Sequence, residues 1–160
     1  MNKKGFLLAE ETLKIILAVI AIAFLIYFLF ALYFSNVHAE KLKQAQAVLT
    51  NSSESIKMKI ERVRSTQIAE TKNIPNPNGW YLFGFVSDPK PNSCVGKNCL
   101  CICDKVMVND FLFWDDRQIK ECDEKGVCLI VEDLKKALEK KIEKSTTDIL
   151  ISYSGGIEIR

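Results

Sequence analysis

Hydrophobic residues are concentrated in one unbroken stretch near the N-terminus. Residues 15–34 read IILAVIAIAFLIYFLFALYF and contain no charged residue, no proline and no glycine. A helix of that length rises about 30 Å, which matches the hydrocarbon core of a bilayer. A helix also satisfies its own backbone hydrogen bonds, as lipid requires. The stretch therefore predicts a transmembrane helix, and its bulky residues continue to the end, which favours retention over cleavage as a secretory signal.

The apolar pattern changes from continuous to periodic in the next segment, residues 35–73. This segment contains no glycine or proline. Hydrophobic residues recur in it at near-helical spacing, at Leu42, Ala45, Leu49, Ile56, Ile60 and Val63. Such a stripe predicts an amphipathic stalk helix that continues from the transmembrane segment. Polar residues 50–55 weaken the stripe midway and indicate a break or kink.

Residues 74–160 have the pattern of a small head domain. The turn-forming sequence IPNPNG at 74–79 ends the stalk. Strands are predicted at 80–86, 99–108 and 127–132, a short helix at 133–144, and a hairpin at 149–153 and 157–160. The predicted fold class is therefore α+β, with a long N-terminal transmembrane and stalk helix followed by a small antiparallel β-rich head that contains one short helix.

Charge and motifs limit the function. The chain has 22 basic and 20 acidic residues, a net charge of +2. Proteins that bind nucleic-acid phosphates show a dominant basic face, so we expect no nucleic-acid partner. The sequence contains no phosphate-binding glycine loop, no Gly-x-Ser-x-Gly and no His-Glu-x-x-His. We therefore expect neither enzymatic activity nor a cofactor.

The charges that flank the apolar stretch indicate its orientation. Lys3, Lys4 and Lys14 lie on the N-terminal side. Basic residues near a transmembrane segment tend to stay in the cytoplasm. On the other side, Lys41 and Lys43 are offset in part by an acidic neighbour. We therefore expect a single-pass protein in the cell membrane, with the head on the extracytoplasmic side.

All cysteines of the chain lie in the predicted head. They are Cys94, Cys99, Cys101, Cys103, Cys122 and Cys128. An even number of cysteines in a small domain outside the cytoplasm indicates disulfides, which staple a core that is marginal by itself.

The triplet in the predicted strand restricts the connectivity. In a strand, Cys99, Cys101 and Cys103 project from one face, about 6.6 Å apart along the chain, which is poor geometry for a bridge between neighbours of the triplet. Each therefore pairs outside the triplet, which leaves six of the fifteen connectivities. We favour Cys94 with Cys99, and the other two triplet cysteines with Cys122 and Cys128 in either order.

Two other uses of the thiols stay open. Structural zinc sites favour Cys-x-x-Cys spacing, which this sequence does not contain. The plant-type iron–sulfur pattern also begins with Cys-x4-Cys, but it continues with two residues before the next cysteine, whereas this sequence has one. Metal ligation is thus the second alternative. Free or redox-active thiols are the third, because Cys-x-Cys can take part in thiol exchange.

The extreme N-terminus carries a motif that a plain anchor does not require. Lys3 and Lys4 are followed by Gly5, an apolar stretch begins at Phe6, and Glu10 is the fifth residue after the glycine. This motif resembles the type IV pilin leader, a class III signal peptide that a prepilin peptidase cleaves after glycine.

The resemblance covers about the first thirty residues and implies specific roles. Gly5 and Phe6 would flank the cleavage site, and Glu10 would set the register between subunits by pairing with the terminal amine of a neighbour. A carboxylate within an apolar helix bundle needs such a cation. The sequence departs from the usual pilin pattern in two extra charges, Glu11 and Lys14. These charges also fit a simple uncleaved anchor at the cytoplasmic membrane surface.

The organisation that follows is a leader at 1–5, a transmembrane or filament-core helix at 6–34, a stalk at 35–73 and a cysteine-rich head at 74–160. The resemblance implies a pilin-like subunit of a surface filament or of its assembly machinery, similar to archaeal pilin-like proteins. Its expected partners are the membrane, a prepilin peptidase, and copies of itself or other pilin-like subunits through the N-terminal helix. The alternatives are a solitary membrane protein with a ligand- or partner-binding head, and a membrane-tethered thiol oxidoreductase.

Overall fold

The structure is a computed structural model, and it describes the backbone of residues 3–87, 89–106, 114–144 and 147–160. Side chains are described from Thr12 onward, apart from positions 88, 107–116, 145 and 146. The chain divides into two compact units, one ending at Ala39 and the other covering Glu40–Arg160. The first helix, α1, covers Lys3–Gln46.

The first unit consists of the apolar part of α1. Its large hydrophobic side chains are exposed, as illustrated by Tyr27 at 72% and Leu29 at 65%. Within the described residues, one helix is long and apolar enough to cross a membrane, and it lies near the N-terminus. Exposed aliphatic surface of this kind is stable in lipid or against other apolar helices, and it is unfavourable in water.

Within its described residues, the second unit combines two further α-helices with seven strands. The helices are α2, Ile56–Thr66, and α3, Trp114–Lys125. The strands are β1 Glu70–Asn73, β2 Tyr81–Phe85, β3 Cys99–Cys103, β4 Val127–Ile130, β5 Leu138–Lys141, β6 Asp148–Tyr153 and β7 Ile157–Ile159. They form a three-stranded sheet of order β1-β6-β7 and a four-stranded sheet of order β4-β3-β2-β5, with antiparallel pairing throughout these orders. The predicted α+β class is confirmed.

The predicted break in the stalk is confirmed. After α1, a π-helical turn covers Ala47–Asn51, and Ser52 takes an extended backbone. The chain restarts as α2, where the hydroxyl of Ser55 accepts a hydrogen bond of 3.4 Å from the Met58 N–H. The polar residues compete for backbone hydrogen bonds and favour a cap over a continuous helix.

The prediction that the stalk remains helical to residue 73 is wrong. Helix α2 ends at Thr66, where Gln67 adopts the left-handed conformation and its N–H bonds to the carbonyl of Val63. This arrangement closes the helix in the manner of an αL cap. The residues that follow form β1 and pair with β6 in the three-stranded sheet.

The helix predicted over 133–144 is also wrong, because part of that segment forms strand β5. Leu138 lies opposite Gly84 of β2. A Cβ at Gly84 would lie 3.1 Å from the Leu138 Cβ, so the glycine lets the two strands approach closely. Pairing with the edge of β2 outweighs the helix propensity of this lysine- and glutamate-rich segment.

Alternation along the central strands separates two clusters of buried side chains. On one face of the four-stranded sheet, Leu82, Leu100 and Ile102 belong to the main core. That core also contains the stalk residues Ala45, Leu49, Ile56, Ile60 and Val63. The stalk therefore supplies part of the hydrophobic core of the head. The opposite face of the same sheet carries the cysteines together with Phe83.

Candidate functional site

The cysteine face is built by strand β3 and its register with β2. The strand predicted over 99–108 forms over Cys99–Cys103 in the structure. Val108, the predicted end of the strand, lies outside the described residues. Every residue of β3 is buried. Its three cysteines lie opposite the aromatic residues of β2, in the pairs Tyr81 with Cys103, Phe83 with Cys101, and Phe85 with Cys99. The sequence prediction that the triplet shares one face is thus confirmed.

Three disulfides connect the triplet to three other elements. The pairs are Cys94–Cys99, Cys101–Cys128 and Cys103–Cys122, with Cα–Cα distances of 5.9, 4.1 and 5.0 Å. All six cysteines lie within the described residues, and none of them is free. Each triplet member pairs outside the triplet, and the favoured bridge between Cys94 and Cys99 is present. The order that the sequence left open is decided by register, because Cys128 of β4 lies directly opposite Cys101.

Helix α3 and a short turn hold two of the three outer partners, Cys122 and Cys94. Cys94 ends a 3₁₀ turn, Asn92–Cys94. The Asp123 carboxylate of α3 accepts hydrogen bonds from the Ser93 N–H at 2.7 Å and from the Asn92 side-chain amide at 2.9 Å. The bond from Ser93 lowers the pKa of Asp123. Asp123 thus fixes the turn that presents Cys94.

Gln118 is a buried polar residue of the cysteine face that sequence reasoning missed. Its side-chain amide donates to the Asp104 carbonyl at 2.7 Å and accepts from the Val106 N–H at 2.9 Å. The same amide nitrogen lies 3.6 Å from the sulfurs of Cys103 and Cys122. The available signal was its position four residues before Cys122, which places both on one face of a helix. Helix α3 was missed because its sequence, WDDRQIKECDEK, is mostly polar.

The sulfurs of two bridges lie close together. The Sγ of Cys101 is 3.9 Å from the Sγ of Cys94 and 3.9 Å from the Sγ of Cys99. The sulfurs of Cys94, Cys101 and Cys128 all lie within 4.8 Å of one another, a spacing that a metal ion could bridge. Metals bind the thiolate form of cysteine. All three residues are disulfide-bonded here, so in this oxidised form they have no thiolate to offer.

Beside the cysteine face lies an open groove of about 480 Å³. Its apolar wall includes Phe83, Phe85, Ile119 and Leu138, and Glu139 adds a polar group. Glu139 forms an ion pair with Lys105, which raises the pKa of that lysine. Concave apolar surfaces with a few polar groups are the usual form of small-molecule sites.

Ion pairs join the stalk to the rest of the head. Lys59 of α2 lies 3.0 Å from Glu70 of β1 and 3.2 Å from Glu54. The hydrogen bond to Glu70 raises the pKa of Lys59. Arg64 of α2 contacts Asp133, and its hydrogen bonds lower the pKa of Asp133. Asp133, the first residue of the segment that was wrongly predicted to be a helix, thus anchors the stalk to the head.

The leader residues lie in helical backbone. Helix α1 begins at Lys3, so Gly5, Phe6 and Glu10 are continuous with the apolar segment. Their side chains lie outside the described residues. The predicted cleavage between Gly5 and Phe6, and the register role of Glu10, stay predictions.

Comparisons with protein-family models, with curated proteins and with solved structures found no match to this chain. The functional assignment therefore depends on the residues and the geometry above.

Proposed function

We propose that this protein is a pilin-like structural subunit of a type IV pilus-like surface filament or of its assembly machinery. The observation that carries the proposal is the leader, in which Gly5 is followed by Phe6 and then by Glu10, immediately before the apolar helix. A membrane anchor needs the apolar helix but has no need of this glycine and glutamate at fixed spacing.

The exposed surface of α1 supports this function. Phe24, Leu25, Phe28 and Leu32 are between 47% and 66% exposed. In the membrane this surface contacts lipid, and in a filament the same surface packs against the helices of neighbouring subunits. Exchange of lipid contacts for helix contacts leaves apolar area covered in both states, so assembly from the membrane does not expose it to water.

The head supports a surface role through its disulfides. Three bridges in a domain of this size are typical of proteins that work outside the cytoplasm. The cytoplasmic position that we expect for the N-terminal lysines would also bring the leader to a membrane-embedded peptidase. The disulfides of the head and the lysines of the leader therefore favour the same orientation, with the N-terminus in the cytoplasm and the head outside it.

N-terminal sequencing of the protein after co-expression with a prepilin peptidase tests the processing step. The proposal expects Phe6 as the first residue, and Gly5→Ala should retain the whole leader. An intact leader on the wild-type chain, with a peptidase shown to be active on another prepilin, would overturn the assignment.

The register role of Glu10 has a matched control in its neighbour. Glu10→Gln should abolish assembly with other subunits while cleavage continues, because the amine of the adjacent subunit loses its counter-ion. Glu11→Gln removes an equal charge one position away and should leave assembly intact. Equal behaviour of the two variants in a cross-linking or filament-shearing assay would count against the register role.

The groove beside Phe83 and Phe85 favours a second function, that of a solitary membrane protein whose head binds a ligand. Glu139→Gln and Leu138→Arg would then alter ligand binding without affecting N-terminal processing. Retention of the leader together with saturable binding at this groove would support the second function over the first.

A further inference from the structure

We propose that Cys94, Cys99, Cys101 and Cys128 form a thiol–disulfide exchange site, opened by an external dithiol at Cys128 and relayed through Cys101 to the Cys94–Cys99 bridge. The basis is the 3.9 Å spacing between the Cys101 sulfur and both sulfurs of the neighbouring bridge. This inference does not depend on the pilin-like function.

Accessibility selects the sulfur that is attacked first. Cys94, Cys99 and Cys101 are fully buried, whereas Cys128 is only partly buried. Cys128 also lies on β4, an edge strand of its sheet. An external thiolate therefore reaches the Cys128 sulfur and forms a mixed disulfide there. The bond to Cys101 breaks, and Cys101 leaves with the electron pair as a thiolate.

Proximity then directs the Cys101 thiolate. It is released next to the Cys94–Cys99 bond, where an intramolecular attack competes well against any thiol from solution. Cys99 and Cys101 are separated by one residue on the same strand, which makes a bridge between them unfavourable. Cys101 therefore bonds to the Cys94 sulfur, and Cys99 leaves with the electron pair and takes up a proton.

In the resting geometry the Cys101 sulfur is not aligned for attack on the Cys94–Cys99 bridge, so the exchange does not proceed until Cys128 is attacked. The Cys101 sulfur is equidistant from the sulfurs of Cys94 and Cys99, so it lies beside their bond and not along its axis. Thiolate attack on a disulfide requires alignment with the bond that breaks. Once Cys101 is free of Cys128, rotation about its Cα–Cβ bond supplies that alignment.

The overall reaction balances with a dithiol as the reductant. Its second thiol attacks the mixed disulfide and releases Cys128 as a thiol, so the donor leaves as a disulfide. The protein is left with one bridge fewer: Cys94–Cys101 and Cys103–Cys122 remain, and Cys99 and Cys128 carry thiols. The class of partner is therefore a dithiol donor, either a small molecule or the exposed active site of a thiol oxidoreductase.

The third bridge provides an internal control. Cys103 and Cys122 are both buried, and their sulfurs pack against the side chain of Gln118. A thiolate from solution should reach this bridge more slowly than it reaches Cys128. The order of reduction thus tests the site within one molecule.

The experiment treats the detergent-solubilised full chain with limiting dithiothreitol, followed by acid quench, alkylation and peptide mapping by mass spectrometry. The proposal expects alkylated Cys99 and Cys128, together with a Cys94–Cys101 linked peptide. Alkylation of Cys101 and Cys128 with the Cys94–Cys99 bridge retained would overturn it. Earlier reduction of the Cys103–Cys122 bridge would overturn it as well.

Two single variants test the relay without a reductant. Cys128→Ser leaves Cys101 without its partner, and the free thiol should move to Cys99 in most molecules. Cys122→Ser is the matched control, in which the free thiol should stay on Cys103. A thiol that stays on Cys101 in a folded Cys128→Ser protein would overturn the relay. If that variant does not fold, the reduction experiment on the wild-type chain tests the relay instead.

Discussion

Replacement of Ile60 by alanine should destabilise the head, because this stalk residue belongs to the main core. Ile60 is 2% exposed and packs with the other buried residues of the main core. The substitution removes three carbon atoms, a transfer cost of about 2.4 kcal/mol at about 0.8 kcal/mol for each. The cavity that remains raises the expected loss to about 3–4 kcal/mol. A domain of this size has a stability of about 5–15 kcal/mol, so the loss is a large fraction of the total.

Met58 provides the matched control on the same helix. It is 42% exposed, so Met58→Ala should cost less than about 1 kcal/mol. The measurement is urea unfolding of the full chain in detergent, followed by near-ultraviolet circular dichroism of the buried aromatic residues. Equal losses in the two variants, or a loss below about 1 kcal/mol for Ile60→Ala, would refute the assignment of α2 to the core of the head.

Two further predictions concern the same contact between stalk and head. A fragment covering residues 40–160 should unfold cooperatively in urea, whereas a fragment covering 74–160 should not, because it lacks the stalk side chains of the core and strand β1. Acid should weaken the Asp133–Arg64 contact: the pKa of Asp133 is lowered by folding, so its contribution is present above the unfolded value near 4 and is lost as the pH falls through the folded value. Asp133→Asn should therefore lower the stability at pH 7 by less than about 1 kcal/mol, measured as a lower melting temperature. The melting temperature of this variant should also fall less steeply in acid than that of the wild-type chain.

Five strands of the head were predictable because their side chains follow a local pattern: β2, β3, β4, β6 and β7. The aromatic run at β2 and the Ser-Gly-Gly turn between β6 and β7 each favour one conformation over a short length. The shared face of the cysteine triplet follows from the two-residue period of a strand alone. These features need no knowledge of distant parts of the chain.

The errors concern segments whose conformation depends on distant partners. Strand β5 contains leucine, glutamate and lysine, residues that favour helices, and it is a strand because β2 offers a free edge beside Gly84. The stalk pattern showed an apolar stripe but could not show that this stripe packs against the strands of the head. The head was consequently predicted to begin at residue 74, although its compact unit begins at Glu40.

The candidate site likewise has one part that was predictable from local sequence and another that depends on distant partners. The bridge between Cys94 and Cys99 could be favoured from sequence because it joins residues five apart. The choice between Cys122 and Cys128 required the register of β4 against β3, which is a tertiary property. The contact between the sulfurs of two bridges depends on the Cys94–Cys99 pairing and on the pairing of Cys101 with Cys128. The exchange site therefore could not be predicted before the structure was known.

The position of the core bears on the proposed cleavage of the leader. Among the described side chains, the main core begins with Leu42 and Ala45. Cleavage after Gly5 removes five residues that lie far before this point in the chain. Because every described residue of the main core lies after the leader, the head should fold equally well in the precursor and in the processed chain. Any assembly defect of the Gly5→Ala variant would therefore originate in the leader and not in a misfolded head.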